Sequence, residues 1–129
     1  IMKLFKGSKG ELVEVLAPVG EDITIDINGA PAKELKAGTT DAALEKHVPA
    51  VTKEGNELKV QVGEVAHPML PEHWITNVWA EFEDGSVDKK TLLPGQEPVA
   101  VFDVTGKSGK AVVYEFCNLH GLWKKEIDL

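Results

Sequence analysis

Residues 98–116 read PVAVFDVTGKSGKAVVYEF, and they decide the fold class. PVAVFDV (98–104) and KAVVYEF (110–116) are rich in β-branched and aromatic residues, and Thr105-Gly106-Lys107-Ser108-Gly109 separates them. Two such runs around a glycine-bearing break read as strands joined by a hairpin loop. The pattern recurs upstream. LVEVL (12–16), DITIDIN (22–28) and LKVQV (58–62) alternate apolar and polar residues, while ITNVWAEF (75–82) is β-branched and aromatic. Asn28-Gly29, Glu54-Gly55-Asn56 and Asp84-Gly85 supply turn chemistry beside them. Only AKELKAG (32–38) and DAALEKH (41–47) look locally helical, and both are too short to be stable alone. Many short, regularly spaced strands predict an all-β protein built as an antiparallel β-sandwich. A boundary is expected near Gly38-Thr39-Thr40. It divides a small β-rich N-terminal appendage, residues 1–38, from the main sandwich, residues 39–129.

Composition narrows the function classes. The net charge is −7, all fourteen basic residues are lysine and no basic block occurs, which argues against nucleic acid as a partner. One cysteine cannot form an intramolecular disulfide, so a reducing, cytoplasmic setting is expected. IMKLFKGSKGELVEV (1–15) lacks the apolar stretch of a signal peptide, and no apolar run approaches a membrane span.

The four histidines and the single cysteine share one property: all fall in segments bounded by turns or prolines. They occur in EKHVP (45–49), HPMLPEH (67–73) and CNLH (117–120). In HPMLPEH, Pro68 and Pro71 exclude regular helix, and a stiff loop of this kind can curl His67 and His73 toward one point. Taken alone, it reads rather as two surface histidines on a proline loop. In CNLH a short turn lets the thiolate of Cys117 and the imidazole of His120 bind one ion, against the plainer reading of a buried cysteine beside an exposed histidine. EKHVP alone is a charged, solvated loop. Its weight comes from the other two segments.

Four imidazoles and one thiolate exceed the four donors that zinc prefers. Blue copper takes two histidines, a cysteine and a weak axial methionine, and GLWK (121–124) after His120 offers none. A plane of four nitrogens with an axial thiolate suits iron and leaves a coordination position open for a small molecule.

Together EKHVP, AHPMLPEHWI and YEFCNLHGLWK resemble, in the same order, the superoxide reductases, the family that includes neelaredoxin and the catalytic domain of desulfoferrodoxin. The resemblance covers roughly residues 40–125. It implies an immunoglobulin-like β-sandwich and a mononuclear non-haem iron, with His47, His67, His73 and His120 equatorial and Cys117 axial. It implies one-electron reduction of superoxide to hydrogen peroxide, with electrons returned by a rubredoxin-like donor. The family's glutamate and lysine fall on Glu45 and Lys46. Lys46 is expected to steer the anion by its positive field, and Glu45 to cap the open position of ferric iron. Desulfoferrodoxins carry a second iron on four N-terminal cysteines. Residues 1–38 contain no cysteine, which points to the one-iron class retaining the appendage without its metal, for packing or dimerisation; a homodimer is expected. The competing readings are a blue-copper-like electron carrier and a zinc-stabilised binding module.

Overall fold

The computed structural model describes residues 2–17, 20–38, 42 and 44–129. The chain divides into two compact units, Ile1–Lys36 and Ala37–Leu129. The expected boundary residues Thr39 and Thr40, and Asp41 and Ala43 of the expected helical segment, lie outside the described residues.

The first unit holds β1 (Lys3–Lys6), β2 (Leu12–Val15), β3 (Asp26–Ile27), β4 (Ala30–Pro31) and β5 (Lys33–Glu34). β1 is central between antiparallel β2 and β5, and Leu4 and Phe5 on β1 are buried. β3 and β4 form a hairpin whose two-residue turn is Asn28-Gly29, with φ of 53° and 78°. Left-handed φ at both positions is what an Asn-Gly pair accepts cheaply, and it matches the twist of the strands. DITIDIN yields only the two-residue strand Asp26–Ile27, shorter than its alternation suggests. AKELKAG is not helical: Lys33–Glu34 pairs with Phe5 and Lys6, so cross-strand pairing overrides a weak local preference.

The second unit holds α1 (Leu44–His47), β6 (Pro49–Glu54), β7 (Glu57–Val62), β8 (Ile75–Phe82), β9 (Val87–Thr91), β10 (Val99–Asp103), β11 (Lys110–Cys117) and β12 (Gly121–Asp128). These strands form a three-stranded sheet, β10-β7-β6, and a four-stranded sheet, β12-β11-β8-β9, all antiparallel. Alternation explains the core. Leu58, Val60 and Val62 point inward from β7, and Ala100 and Phe102 from β10. They meet Val78, Ala80 and Phe82 of β8 and Ala111, Val113 and Cys117 of β11. Each large apolar side chain so buried contributes about 1.5–3 kcal/mol. This is the expected antiparallel, immunoglobulin-like sandwich.

The expected hairpin between residues 98–104 and 110–116 is overturned. Val99–Asp103 pairs with Gln61–Glu57 of β7, whereas β11 pairs with β8 and β12. The intervening loop carries the chain from one sheet to the other, a gap of about 10 Å. Alternation specifies which face of a strand is buried, not which strand it pairs with. No described helix is long and apolar enough to cross a membrane.

Candidate metal centre

Three segments converge at one end of the second unit. α1 ends on His47 and delivers it to the interior, where it is buried. Beyond β7, the backbone N–H of His67 donates to the Val62 carbonyl at 2.7 Å, which ties the first residue of HPMLPEH to the end of the strand. The loop then folds back sharply. Leu70 and His73 exchange two backbone hydrogen bonds, 2.9 and 3.0 Å, with Pro71 and Glu72 at the corner. Proline fixes the φ this corner needs. Cys117 ends β11 and Gly121 opens β12, and the two residues pair across the Asn118-Leu119-His120 turn. Gly121 has φ 81°, the left-handed position that closes a three-residue hairpin loop.

The donor atoms of His47, His67, His73, Cys117 and His120 all lie within 4.8 Å of one another. The four imidazoles form a closed square in the order 47, 67, 73, 120. Neighbouring ring centroids are 4.7, 4.7, 5.1 and 4.8 Å apart, and neighbouring planes meet at 76–89°. Cys117 is fully buried in the core and its Sγ lies 3.8 Å from His120 Nδ1, so sulfur approaches from the protein side. His73 and His120 are partly exposed on the other side.

The protonation pattern fits a cation. His67 Nδ1–H donates to the Pro68 carbonyl at 2.7 Å, which leaves Nε2 as a lone pair. Burial, together with the neighbouring histidines, pushes the His67 pKa down to about 4, so the ring is neutral at neutral pH. His73 is lowered by burial, then by His120 and the Lys46 ammonium, against an opposing push from Glu72. His47 Nε2 sits 3.1 Å from both His67 Nε2 and His120 Nδ1, and one proton cannot serve both contacts. His73 Nε2 is buried with no hydrogen-bond partner among the described residues. One ion at the centre of the square would satisfy all of these lone pairs at once.

Glu45 and Lys46 are exposed on α1, and the Glu45 carboxylate is not among the clustered donors. Glu45 instead lines a shallow groove of about 550 Å³ with Val48, Glu64 and Lys125. Lys46 does bear on the cluster, since its charge acts on His73.

Two supporting residues are not apparent from the motifs. Asn118 Oδ1 accepts the Trp74 backbone N–H at 2.9 Å, and its Nδ2 donates to the Glu72 carbonyl at 3.0 Å, so one side chain brackets His73. Trp123 is buried, donates from Nε1 to the His120 carbonyl at 3.0 Å, and lies over His47 at 5.1 Å between centroids. The only sequence signal was their position, inside or just after CNLH.

Residues 39–126 match the desulfoferrodoxin family model. A desulfoferrodoxin from Nitratidesulfovibrio vulgaris is 49% identical over 118 residues, which cover 91% of this chain and 89% of that one. A superoxide reductase from Thermococcus kodakarensis is 42% identical over 76% of this chain and 97% of its own. The crystal structure of the superoxide reductase from Treponema pallidum superposes with a TM-score of 0.77 at 36% identity, covering 97% and 98% of the two chains. The motifs, the sandwich and these likenesses agree: the chain belongs to the desulfoferrodoxin family.

Proposed function

We propose that His47, His67, His73, His120 and Cys117 hold one mononuclear iron and that the protein is a superoxide reductase, reducing superoxide to hydrogen peroxide. The observation that carries this reading is the closed square of four imidazoles backed by a buried sulfur. Iron bound there supplies single electrons to a small anion. Four nitrogens, where blue copper uses two, favour iron over the electron-carrier alternative. The deciding experiment is metal content combined with the reaction of the ferrous protein with superoxide. One iron per chain and rapid peroxide formation are expected, and stoichiometric zinc or a redox-silent protein would end the proposal.

The chain's own residues divide the remaining work. Four neutral imidazoles and one thiolate leave a divalent ion with net positive charge, which attracts an anion despite the acidic chain. Lys46, whose charge reaches His73, adds a positive field at the open face. Glu45 is one residue from Lys46 on α1, and its carboxylate, now outside the cluster, has to move to cap that face. His67, fixed by its bond to Pro68, keeps Nε2 aimed inward throughout.

Electrons reach the centre from a small carrier protein of the rubredoxin type. In support, exposed apolar residues sit on the segments that carry the cluster: Leu44, Val65, Leu70 and Leu119. On this reading the iron chemistry belongs to residues 39–129. Residues 1–38 have no cysteine to hold a second iron and serve packing or dimerisation, with a homodimer as the proposed assembly. A reducing cytoplasm is the proposed compartment, supported by the single free thiol.

A further inference from the structure

Gly63 follows β7 and lies four residues before His67. Its φ lies outside the left-handed range, and it is the surroundings that exclude a side chain. A Cβ built on Gly63 would fall 2.7 Å from the Glu45 carbonyl oxygen, 2.8 Å from the Val48 carbonyl oxygen and 2.9 Å from the Lys46 carbonyl carbon. All three atoms are backbone, from α1 and the residue after it, so no rotamer change relieves the contact. The same short loop also grips α1 by hydrogen bonding. Val65 N–H donates to the Glu45 carbonyl at 2.9 Å, while Gln61 Nε2 of β7 braces the loop itself by donating to the Gly63 carbonyl at 2.9 Å. At the far ends of these two segments, His47 Nε2 and His67 Nε2 stand 3.1 Å apart.

We infer that Gly63 is a positioning residue: its missing side chain lets α1 seat directly on the loop that leads to His67, and so sets where His47 enters the cluster and where Glu45 and Lys46 stand at its mouth. The inference rests on the proposed metal site. α1 has a single turn and cannot hold its own position, because so short a helix has little stability apart from its packing. A methyl group at 63 pushes α1 outward as a body. His47 then withdraws from His67 and His120 while the sandwich core, built from β7, β8, β10 and β11, stays intact.

The test uses the full-length metal-free protein titrated with Co(II), whose visible bands report donor number and geometry. Gly63→Ala is compared with the parent and with Val60→Ala, which removes buried methyl groups from the core and changes none of the five clustered donors. The expected result is one tightly bound Co(II) in the parent and in Val60→Ala. Binding by Gly63→Ala should be at least about tenfold weaker, with altered bands, even where its Tm is the higher of the two variants. Equal affinity and unchanged bands in Gly63→Ala would overturn the inference. Should Gly63→Ala not fold, Val65→Pro leaves Gly63 in place and removes the N–H that grips the Glu45 carbonyl, while fixing φ at that one position. The same loss of affinity is expected there, and an unchanged spectrum counts against the seat. A parent that takes up no Co(II) would remove the proposed site itself, and the inference with it.

Discussion

Asn118 and Trp74 are joined twice: the Asn118 side-chain oxygen accepts the Trp74 N–H at 2.9 Å, and the Asn118 N–H donates to the Trp74 carbonyl at 3.3 Å. With the bond from Nδ2 to the Glu72 carbonyl, the turn carrying Cys117 and His120 is fastened to the backbone on both sides of His73. Asn118→Ala removes both side-chain bonds, each about 0.5–1.5 kcal/mol. The variant is expected to melt several degrees lower and to hold its metal about 10- to 100-fold more weakly. Asn118→Asp keeps an acceptor for Trp74 but turns an oxygen toward the Glu72 carbonyl, so it should rescue only part of the loss. A metal titration beside thermal unfolding checks both, and full affinity in Asn118→Ala would refute the fastening role.

Cys117→Ser replaces a fully buried sulfur with a hydroxyl, which is a far poorer anionic donor at neutral pH. The visible thiolate-to-iron charge-transfer band should vanish, with most of the activity. The fold should survive at a cost of about 1–3 kcal/mol for burying the hydroxyl. Absorption spectroscopy of the oxidised variant decides it; persistence of the band excludes sulfur as the donor.

Lys46 and Glu45 are expected to act at different moments. Lys46→Ala should slow the bimolecular reaction of the ferrous protein with superoxide several-fold at low salt. The deficit should shrink as salt rises, because screening sets in over about 8–10 Å. Glu45→Ala should leave that rate nearly unchanged and alter the ferric spectrum. Stopped-flow traces across a salt series separate the two. Identical low-salt rates for Lys46→Ala and the parent would eliminate steering.

Glu115 gives a pH prediction. It is fully buried on β11, and neither carboxyl oxygen has a hydrogen-bond partner among the described residues. Burial pushes its pKa well above the usual carboxylate range. The folded state therefore holds its proton where the unfolded chain releases it, and stability falls as pH rises past the ordinary glutamate value, about 4.3. Glu115→Gln removes this penalty. Its advantage over the parent in urea unfolding should grow as pH rises above the ordinary glutamate value. A pH-independent difference would show that Glu115 finds a partner for its charge.

Metal removal exposes the opposite slope at His67. Its folded pKa is about 4, below the ordinary value of 6.5, so the unfolded chain takes up the proton first. The metal-free protein should lose stability as pH falls from about 6.5 to about 4, and His67→Leu should flatten that slope. Bound metal adds stability by mass action and should lift the whole curve at neutral pH.

The five clustered residues were legible in sequence because metal donors are chemically rare. A chain that places its only cysteine and all four histidines in turn segments leaves few other readings. β7 and β8 were legible from their apolar patterns. β9, VDKKT, is exposed at every position and has no apolar face to announce it. β10 was read correctly as a strand and wrongly as the hairpin partner of β11, since pairing is decided by the facing sheet. Gly63, Asn118 and Trp123 act through contacts with backbone or rings distant in sequence, and no local pattern marks them.

His47 and His120 stand 3.1 Å apart in space but 73 residues apart in the chain. The loop from residue 104 to 109 also commits the chain to leave one sheet for the other before β11 can pair. The square of donors therefore needs segments from both sheets brought together, and it is expected to close late in folding. Contacts that form after the rate-limiting barrier change the speed of unfolding and leave the speed of folding alone. Iron bound at this end of the sandwich is thus expected to work as a latch, lengthening the time the chain stays folded more than it hastens folding.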